Sequence, residues 1–322
     1  MLLDLAILAA ALGVLVLGAD LLVRGASALA ARFGMSPLLI GLTLVAFGTS
    51  MPELVVSMGG ALRGSGDIAI GNAVGSNVFN VFFILGLCAL VRPLAVASST
   101  VWKEIPLSLL AALAVGAAGN DVWLSSEAVS TLSRGDGLLF LGYFAVFLAY
   151  LLAVFTGNGG APAARPTSRP GPGTSALLCL GGLALLILGG SWAVTSAAAL
   201  ARELGVSEGL IAVTILAGGT SLPELATSLV ATRRGQLDLA VGNVVGSNIF
   251  NVFFILGASA TVRPLAFDPR GNVDVAAAAL GSLLLFAAMF SGGRKRLDRW
   301  EGAVFLLTYI GYIGLRYTLE GG

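Results

Sequence analysis

Ten stretches of this chain are long and apolar enough to cross a bilayer: 3–31, 37–62, 67–91, 102–119, 137–156, 175–201, 208–232, 238–262, 273–291 and 300–319. The hydrocarbon core of a membrane is about 30 Å thick, which takes about 20 residues of helix. No water reaches that core, so backbone N–H and C=O groups must be satisfied within the chain, and segments this long are confined to helices. Composition agrees. Of 322 residues, 57% are hydrophobic and 11% charged, where a soluble domain carries about 25% charged residues. The expected fold class is an all-α polytopic membrane protein with ten transmembrane helices. The N-terminal stretch lacks a positive n-region and a cleavage site, so it is read as a retained first helix.

The same composition removes several function classes. A net charge of +1 offers no basic field for nucleic acid. The absence of histidine excludes imidazole metal sites, Ser-His and Cys-His catalysis, and histidine proton relays. Cys88 and Cys179 lie in apolar runs and read as buried small hydrophobes rather than a disulfide.

Between the fifth and sixth stretches runs TGNGGAPAARPTSRPGPGTS, whose Pro, Gly and Ser content predicts a flexible linker. It divides the chain into 1–156, a linker at 157–174, and 175–322. With both termini outside, eleven Lys and Arg residues fall on inner loops and six on outer ones. The positive-inside rule therefore favours external termini and a cytoplasmic linker.

A shift of 171 residues superimposes AFGTSMPELVVS (46–57) on AGGTSLPELATS (217–228), and GNAVGSNVFNVFFILG (71–86) on GNVVGSNIFNVFFILG (242–257). Over 41–94 against 212–265, 32 of 54 positions are identical without a gap. The halves are copies. Five spans per copy is an odd number, so the second copy enters the membrane from the opposite side. That is the inverted-repeat plan of secondary transporters, with the substrate site at the repeat interface near the midplane.

The two duplicated motifs are also the most polar parts of their spans. Pro52 and Pro223 lack an N–H and free carbonyls one turn back, at Gly48 and Gly219. Irregular backbone at this depth is tolerated only where protein buries it or a hydrated cavity meets it. Glu53 and Glu224 follow, with no Lys or Arg within a turn of either. A carboxylate at the bilayer centre costs at least about 2.5 kcal/mol. It is offset either by a bound cation or by protonation and hydrogen bonding across helices. Two carboxylates, hydroxyls and bare carbonyls match the six to eight oxygens that Ca²⁺ accepts.

In the second motif, Asn72, Ser76 and Asn80 share one helix stripe, as do Asn243, Ser247 and Asn251. Ser76, Asn80, Ser247 and Asn251 are expected to line the cavity around the glutamates. Asn72, Asn77, Asn243 and Asn248 are either ligands or interhelical hydrogen-bonding groups. Gly71 with Gly75, and Gly242 with Gly246, are spaced to let a neighbouring helix approach closely. Asp20 and Arg24 have Ser191 and Thr195 as their repeat counterparts, so they read as an ion pair outside the duplicated site. Arg92-Pro93 and Arg263-Pro264 read as interfacial helix stops.

GTSMPEL with GNAVGSNVFN, and GTSLPEL with GNVVGSNIFN, resemble the two alpha repeats of the cation/Ca²⁺ antiporter superfamily, most closely its prokaryotic sodium/calcium exchangers. The resemblance covers essentially the whole chain. It implies that Glu53 and Glu224 bind both Ca²⁺ and Na⁺, and that Thr49, Thr220, Ser50 and Ser221 add side-chain or backbone oxygens. Ala46 and Ala217 would contribute backbone carbonyls, Ser76 and Ser247 would serve Na⁺, and Asn80 and Asn251 would line the centre. The long first and sixth spans resemble the pair that slides to alternate access. K⁺-dependent members carry Asp where this chain has Asn80 or Asn251, so exchange without K⁺ is implied.

The expected protein is a Na⁺/Ca²⁺ antiporter of the prokaryotic inner (plasma) membrane. It would extrude Ca²⁺ electrogenically, use no cofactor and function as a monomer in the lipid bilayer. H⁺/Ca²⁺ exchange through the same glutamates is the alternative, and a cation channel a remoter one. Without histidine or an Asp pair, an intramembrane enzyme is not expected.

Overall fold

The structure is a computed structural model that describes residues 2–124, 129–156, 171–206, 211, 215, 217–292 and 295–320. Its helices follow the apolar pattern closely. The first half holds α1 (Leu2–Phe33), α2 (Pro37–Thr49), α3 (Met51–Arg63), α4 (Gly66–Val91), α5 (Ser98–Ala118) and α6 (Arg134–Thr156). The second holds α7 (Pro172–Glu203), α8 (Leu222–Arg233), α9 (Leu237–Val262), α10 (Asn272–Ala288) and α11 (Arg299–Glu320). Among the described residues, eight helices are long and apolar enough to cross a membrane, and nine if α2 and α3 form one bent span. The expected span 208–232 is seen at its C-terminal end as α8, and 208–210, 212–214 and 216 lie outside the described residues. The linker at 157–170 lies outside them too, and α7 begins at Pro172, three residues before the expected boundary. Pro suits this first helical position because its missing N–H would have no partner there.

Burial ranks the helices. The apolar windows of α4 and α9 are 72% and 94% buried, against 17% for α6 and 11% for α11. The two helices carrying the Asn/Ser motif thus form the centre, and α6 and α11 turn side chains such as Leu138, Val146 and Leu307 outward. These faces have the character of a lipid-facing surface.

The 32-residue helices α1 and α7 pack against each other antiparallel along a seam of small residues. A Cβ on Gly18 would lie 2.8 Å from the Gly182 carbonyl oxygen, and one on Gly25 2.8 Å from that of Ser175. Only glycine permits backbones this close. A second seam joins α2 to α9. There a Cβ on Gly242 would meet the Leu38 carbonyl at 2.8 Å, and one on Gly246 would meet Leu42 and Ala46 at 2.9 Å. The close approach expected at Gly242 and Gly246 is present. Among the described residues, Gly71 and Gly75 meet no atom within 4 Å.

Helix ends are tied by contacts that apolar periodicity does not report. Strand β1 (Leu94–Ala95) pairs antiparallel with β4 (Arg296–Leu297), and β2 (Thr131–Leu132) with β3 (Leu265–Ala266). Arg92 and Arg263 end their helices in extended conformation, φ −154° and −148°, as residues before proline do. Asp20 pairs with Arg24 at 2.8 Å, as its spacing predicted, and also with Arg234. Two turns on from Asp20, Ser27 donates to Gln236 Oε1 at 2.7 Å. Cys88 and Cys179 are buried free thiols.

Candidate ion-binding site

The GTS-Pro-Glu segment breaks its helix where the proline requires. The axis bends by 48° between α2 and α3, with Ser50 at the hinge (φ −83°, ψ 9°) and Ser221 in matching geometry before α8 (φ −87°, ψ 8°). Pro52 and Pro223 occupy the first turns of α3 and α8, and so do Glu53 and Glu224. A helix N-terminus presents unsatisfied N–H groups and the positive end of the helix dipole, both of which favour a carboxylate.

The hydroxyls around the glutamates form a reciprocal set. Ser50 donates to Glu224 Oε1 and Ser221 to Glu53 Oε1, each at 2.9 Å. Ser76 reaches Glu53 Oε1 and Ser247 reaches Glu224 Oε1, each at 3.4 Å. Each carboxylate is thus held by one serine from its own half and one from the other. Glu53 is 0% exposed and Glu224 1%.

A second layer fixes the backbone that carries them. Asn72 Nδ2 donates to the Glu53 carbonyl at 3.1 Å and to Ser57 Oγ at 2.9 Å, while Asn243 Nδ2 donates to the Glu224 carbonyl at 3.4 Å and to Ser228 Oγ at 3.0 Å. Their Oδ1 atoms accept from Thr220 and Thr49, both at 3.2 Å. Of the two roles open to Asn72 and Asn243, the structure realises interhelical hydrogen bonding. Ser57 and Ser228 were not singled out in the sequence, although both lie four residues after the duplicated glutamates.

The central helices change pitch here. Phe79–Leu85 and Phe250–Leu256 are π-helical turns, each containing one of the central asparagines, Asn80 and Asn251. Single π turns within α-helices occur often at functional sites. Asn80 Nδ2 donates to Asn248 Oδ1 and Asn251 Nδ2 to Asn77 Oδ1, each at 3.0 Å.

Nine buried side-chain oxygens lack a hydrogen-bond partner among the described residues, and four of them belong to the duplicated glutamates and central asparagines: Glu53 Oε2, Glu224 Oε2, Asn80 Oδ1 and Asn251 Oδ1. Buried polar atoms in native proteins are nearly always satisfied, and none of these four oxygens in its ionised or amide form can donate. A partner for such a set must be a donor or a cation. Among the described residues no group of three or more His, Cys, Asp or Glu is gathered, so any metal here would meet two carboxylates and neutral oxygens.

Of the twelve residues expected at the site, Glu53, Glu224, Ser50, Ser221, Ser76 and Ser247 are directly connected, whereas Asn80 and Asn251 bond to the other half's Asn248 and Asn77 in a separate asparagine network. The hydroxyls of Thr49 and Thr220 turn to the asparagines of the second layer. The Ala46 carbonyl accepts from Ser50 N at 3.1 Å and Thr49 Oγ1 at 3.4 Å, and Ala217 opens the short helix Ala217–Gly219.

The two halves differ in exposure around the cluster. Thr49 and Asn243 are fully buried, whereas their counterparts Thr220 and Asn72 are half-buried. A cavity of about 510 Å³ between α3 and α7 reaches Pro52, Pro223 and Thr220.

The profile of the family described as "Sodium/calcium exchanger protein" matches residues 3–153 and 174–318, nearly the whole chain. The chain belongs to the sodium/calcium exchanger family. It is similar to the putative antiporter CaxA of Alkalimonas amylolytica, 39% identical over 94% of this chain and 95% of the relative. It is also similar to the inner membrane protein YrbG of Escherichia coli, 36% identical over 99% and 98%. Its fold superimposes on a solved structure of the sodium-calcium exchanger NCX_Mj with a TM-score of 0.81 and 32% identity, covering 97% of this chain and 98% of that one. The chain is therefore a polytopic, helical membrane protein of a transporter family, whose members exchange cations rather than turn over a substrate chemically. In this exchanger the hydrogen bonds of Glu53 and Glu224 cross between the two copies of the family's motif.

Proposed function

We propose that this exchanger is a secondary antiporter moving Na⁺ against Ca²⁺ by alternating access, with electrogenic Ca²⁺ extrusion as its direction. The single observation that carries the reading is the buried set of two carboxylate and two amide oxygens without partners. Glu53 and Glu224 would hold Ca²⁺ or share Na⁺ ions. Ser50, Ser221, Ser76, Ser247, Thr49, Thr220 and the carbonyls of Ala46 and Ala217 would complete the shells, with Asn80 and Asn251 at the centre. Two carboxylates balance one divalent charge, and Ca²⁺ favours this many hard oxygens at about 2.3–2.6 Å. Na⁺ is favoured over H⁺ as counter-ion by the serine hydroxyls and amide oxygens around the glutamates, which can ligate an ion but take up no proton at neutral pH. With Asn at 80 and 251, no K⁺ requirement is expected.

The same reading gives ten spans in two inverted five-helix halves, 1–156 and 175–322, joined by a cytoplasmic linker, with both termini outside. Odd parity of the duplicated spans supports it. So does the gathering of loops: β1 with β4 joins segments expected at the inner face, and β2 with β3 joins segments expected at the outer face. The antiparallel glycine seam between α1 and α7 suits a pair that moves as one body across the core. The likeness to an inner membrane protein supports residence in a prokaryotic inner membrane. One chain holds both halves of the site, so a monomer suffices.

The test is ⁴⁵Ca²⁺ uptake into proteoliposomes under an outward Na⁺ gradient or an imposed pH gradient, without K⁺. Uptake is expected to follow Na⁺ and to vanish in Glu53→Gln and Glu224→Gln. Uptake that follows the pH gradient overturns the choice of counter-ion, and uptake indifferent to both substitutions overturns the site.

A further inference from the structure

A primary amide presents an oxygen on one branch and a hydrogen-bond donor on the other. For Asn80 and Asn251 the branch turned to the centre decides whether they attract a cation or repel it. The structure holds a chain of bonds that fixes this choice. It begins at the backbone carbonyl of Asn248, an atom that can only accept. Asn77 Nδ2 donates to that carbonyl at 3.0 Å, which commits the other branch of Asn77, its Oδ1, to acceptance. Asn251 Nδ2 donates there at 3.0 Å. The donor branch of Asn251 is thereby used, and its Oδ1 is left buried and without a partner. Across the interface, Asn248 Oδ1 takes Asn80 Nδ2 at 3.0 Å, leaving Asn80 Oδ1 in the same condition. Were Asn251 reversed, two amide oxygens would face each other and its NH₂ would take the buried place of its Oδ1.

We propose that Asn77 and Asn248 are positioning residues that lock the amides of Asn251 and Asn80 with their oxygens towards the ion, each acting on the opposite half of the molecule. The proposal deepens the ion-site reading and rests on it. Neither residue need touch the ion. The lock makes the centre acceptor-only, which a divalent or monovalent metal cation satisfies and an anion does not. It also gives the duplicated Asn77 and Asn248 a role distinct from general interhelical packing, since each bond is aimed at a particular branch of a particular amide.

Loss of an outer partner that orients a ligand lowers metal affinity by about 10–100-fold. Asn77→Ala is therefore expected to raise the half-saturating Ca²⁺ at least about tenfold, with the maximal rate of uptake largely kept. The decisive comparison is the same substitution in an Asn251→Asp background. A carboxylate carries oxygen on both branches, so it has no donor branch to orient and would set an oxygen against Asn77 Oδ1; Asn77→Ala should there leave half-saturation within about twofold or improve it, a strong non-additivity. Asn248→Ala with Asn80→Asp forms an independent second cycle should one variant fail to fold. Ca²⁺-dependent thermal stabilisation of the purified full chain reads binding apart from transport.

Equal penalties in the two backgrounds would mark Asn77 as a packing residue and overturn the proposal, as would an Asn77→Ala variant with wild-type half-saturation. Glu53→Gln separates the two readings. If it keeps Ca²⁺ stabilisation, the ion site itself is wrong. If it loses stabilisation while the asparagine cycles are additive, only the amide lock fails.

Discussion

Ser50 and Ser221 each donate to the glutamate of the opposite half, at equal distances of 2.9 Å. A hydrogen bond to a charged group contributes about 1.5–3 kcal/mol, so Ser50→Ala and Ser221→Ala should each raise the half-saturating Ca²⁺ about tenfold or more. Their geometry is matched, so the two effects should agree within a few-fold in a binding titration. An effect confined to one serine would break the reciprocity. The glutamates themselves were legible in the sequence, because a carboxylate beside a proline in an apolar stretch is conspicuous and here it occurs twice. The partners were not. Nothing in GTSMPEL says that Ser50 will serve Glu224 rather than the adjacent Glu53, since that depends on how the two broken helices face each other. The second-layer role of Asn72 and Asn243 was equally hidden, as an amide on a helix stripe can point to a cavity or to a neighbour's backbone.

At the level of single elements, the apolar pattern placed helix ends within a few residues, because membrane helices end where lipid does. What it missed has local causes. The π turns Phe79–Leu85 and Phe250–Leu256 share the sequence FNVFFIL, which is uniformly apolar after Asn and carries no breaker. The four two-residue strands are too short for periodicity to register. The glycine spacing of α9 does mark a close approach, and the α1–α7 seam makes a sharp test of that logic. A Cβ at Gly182 would sit 2.6 Å from Leu22 N, whereas at neighbouring Gly181 it would meet nothing within 4 Å among the described residues. Gly182→Ala should lower the thermal midpoint and slow exchange, since overpacking costs about 1–3 kcal/mol. Gly181→Ala should match wild type in both, and equal behaviour of the pair would refute the close seam.

For the molecule as a whole, the duplication was the most informative feature of the sequence. It predicted two related halves and a shared centre, and the reciprocal bonds among residues 171 or so apart are what such a plan requires. The departures from symmetry were less visible, since they lie in single substitutions whose partners are far along the chain. Asp20 is the clearest case. Its spacing to Arg24 announced a local ion pair, but its bond to Arg234, 214 residues away, follows only from the seating of α1 against the end of α8.

That contact has no twin. The repeat sets Ser191 and Arg63 where Asp20 and Arg234 stand, and a serine cannot form an ion pair. Two equal halves would build a transporter with no preferred side, resting as readily with one mouth open as with the other. A tie at one end tilts the balance between the two resting states. An exposed pair of this kind contributes about 0.2–1 kcal/mol, a bias of about 1.5- to 5-fold. Asp20→Ser should therefore bring the half-saturating Ca²⁺ values of right-side-out and inside-out vesicles closer by about that factor, without loss of Na⁺-driven uptake. The side on which this exchanger rests would then be set in part by a half-buried aspartate, at a distance from the carboxylates that hold the ion, while the ion gradients set which way it runs.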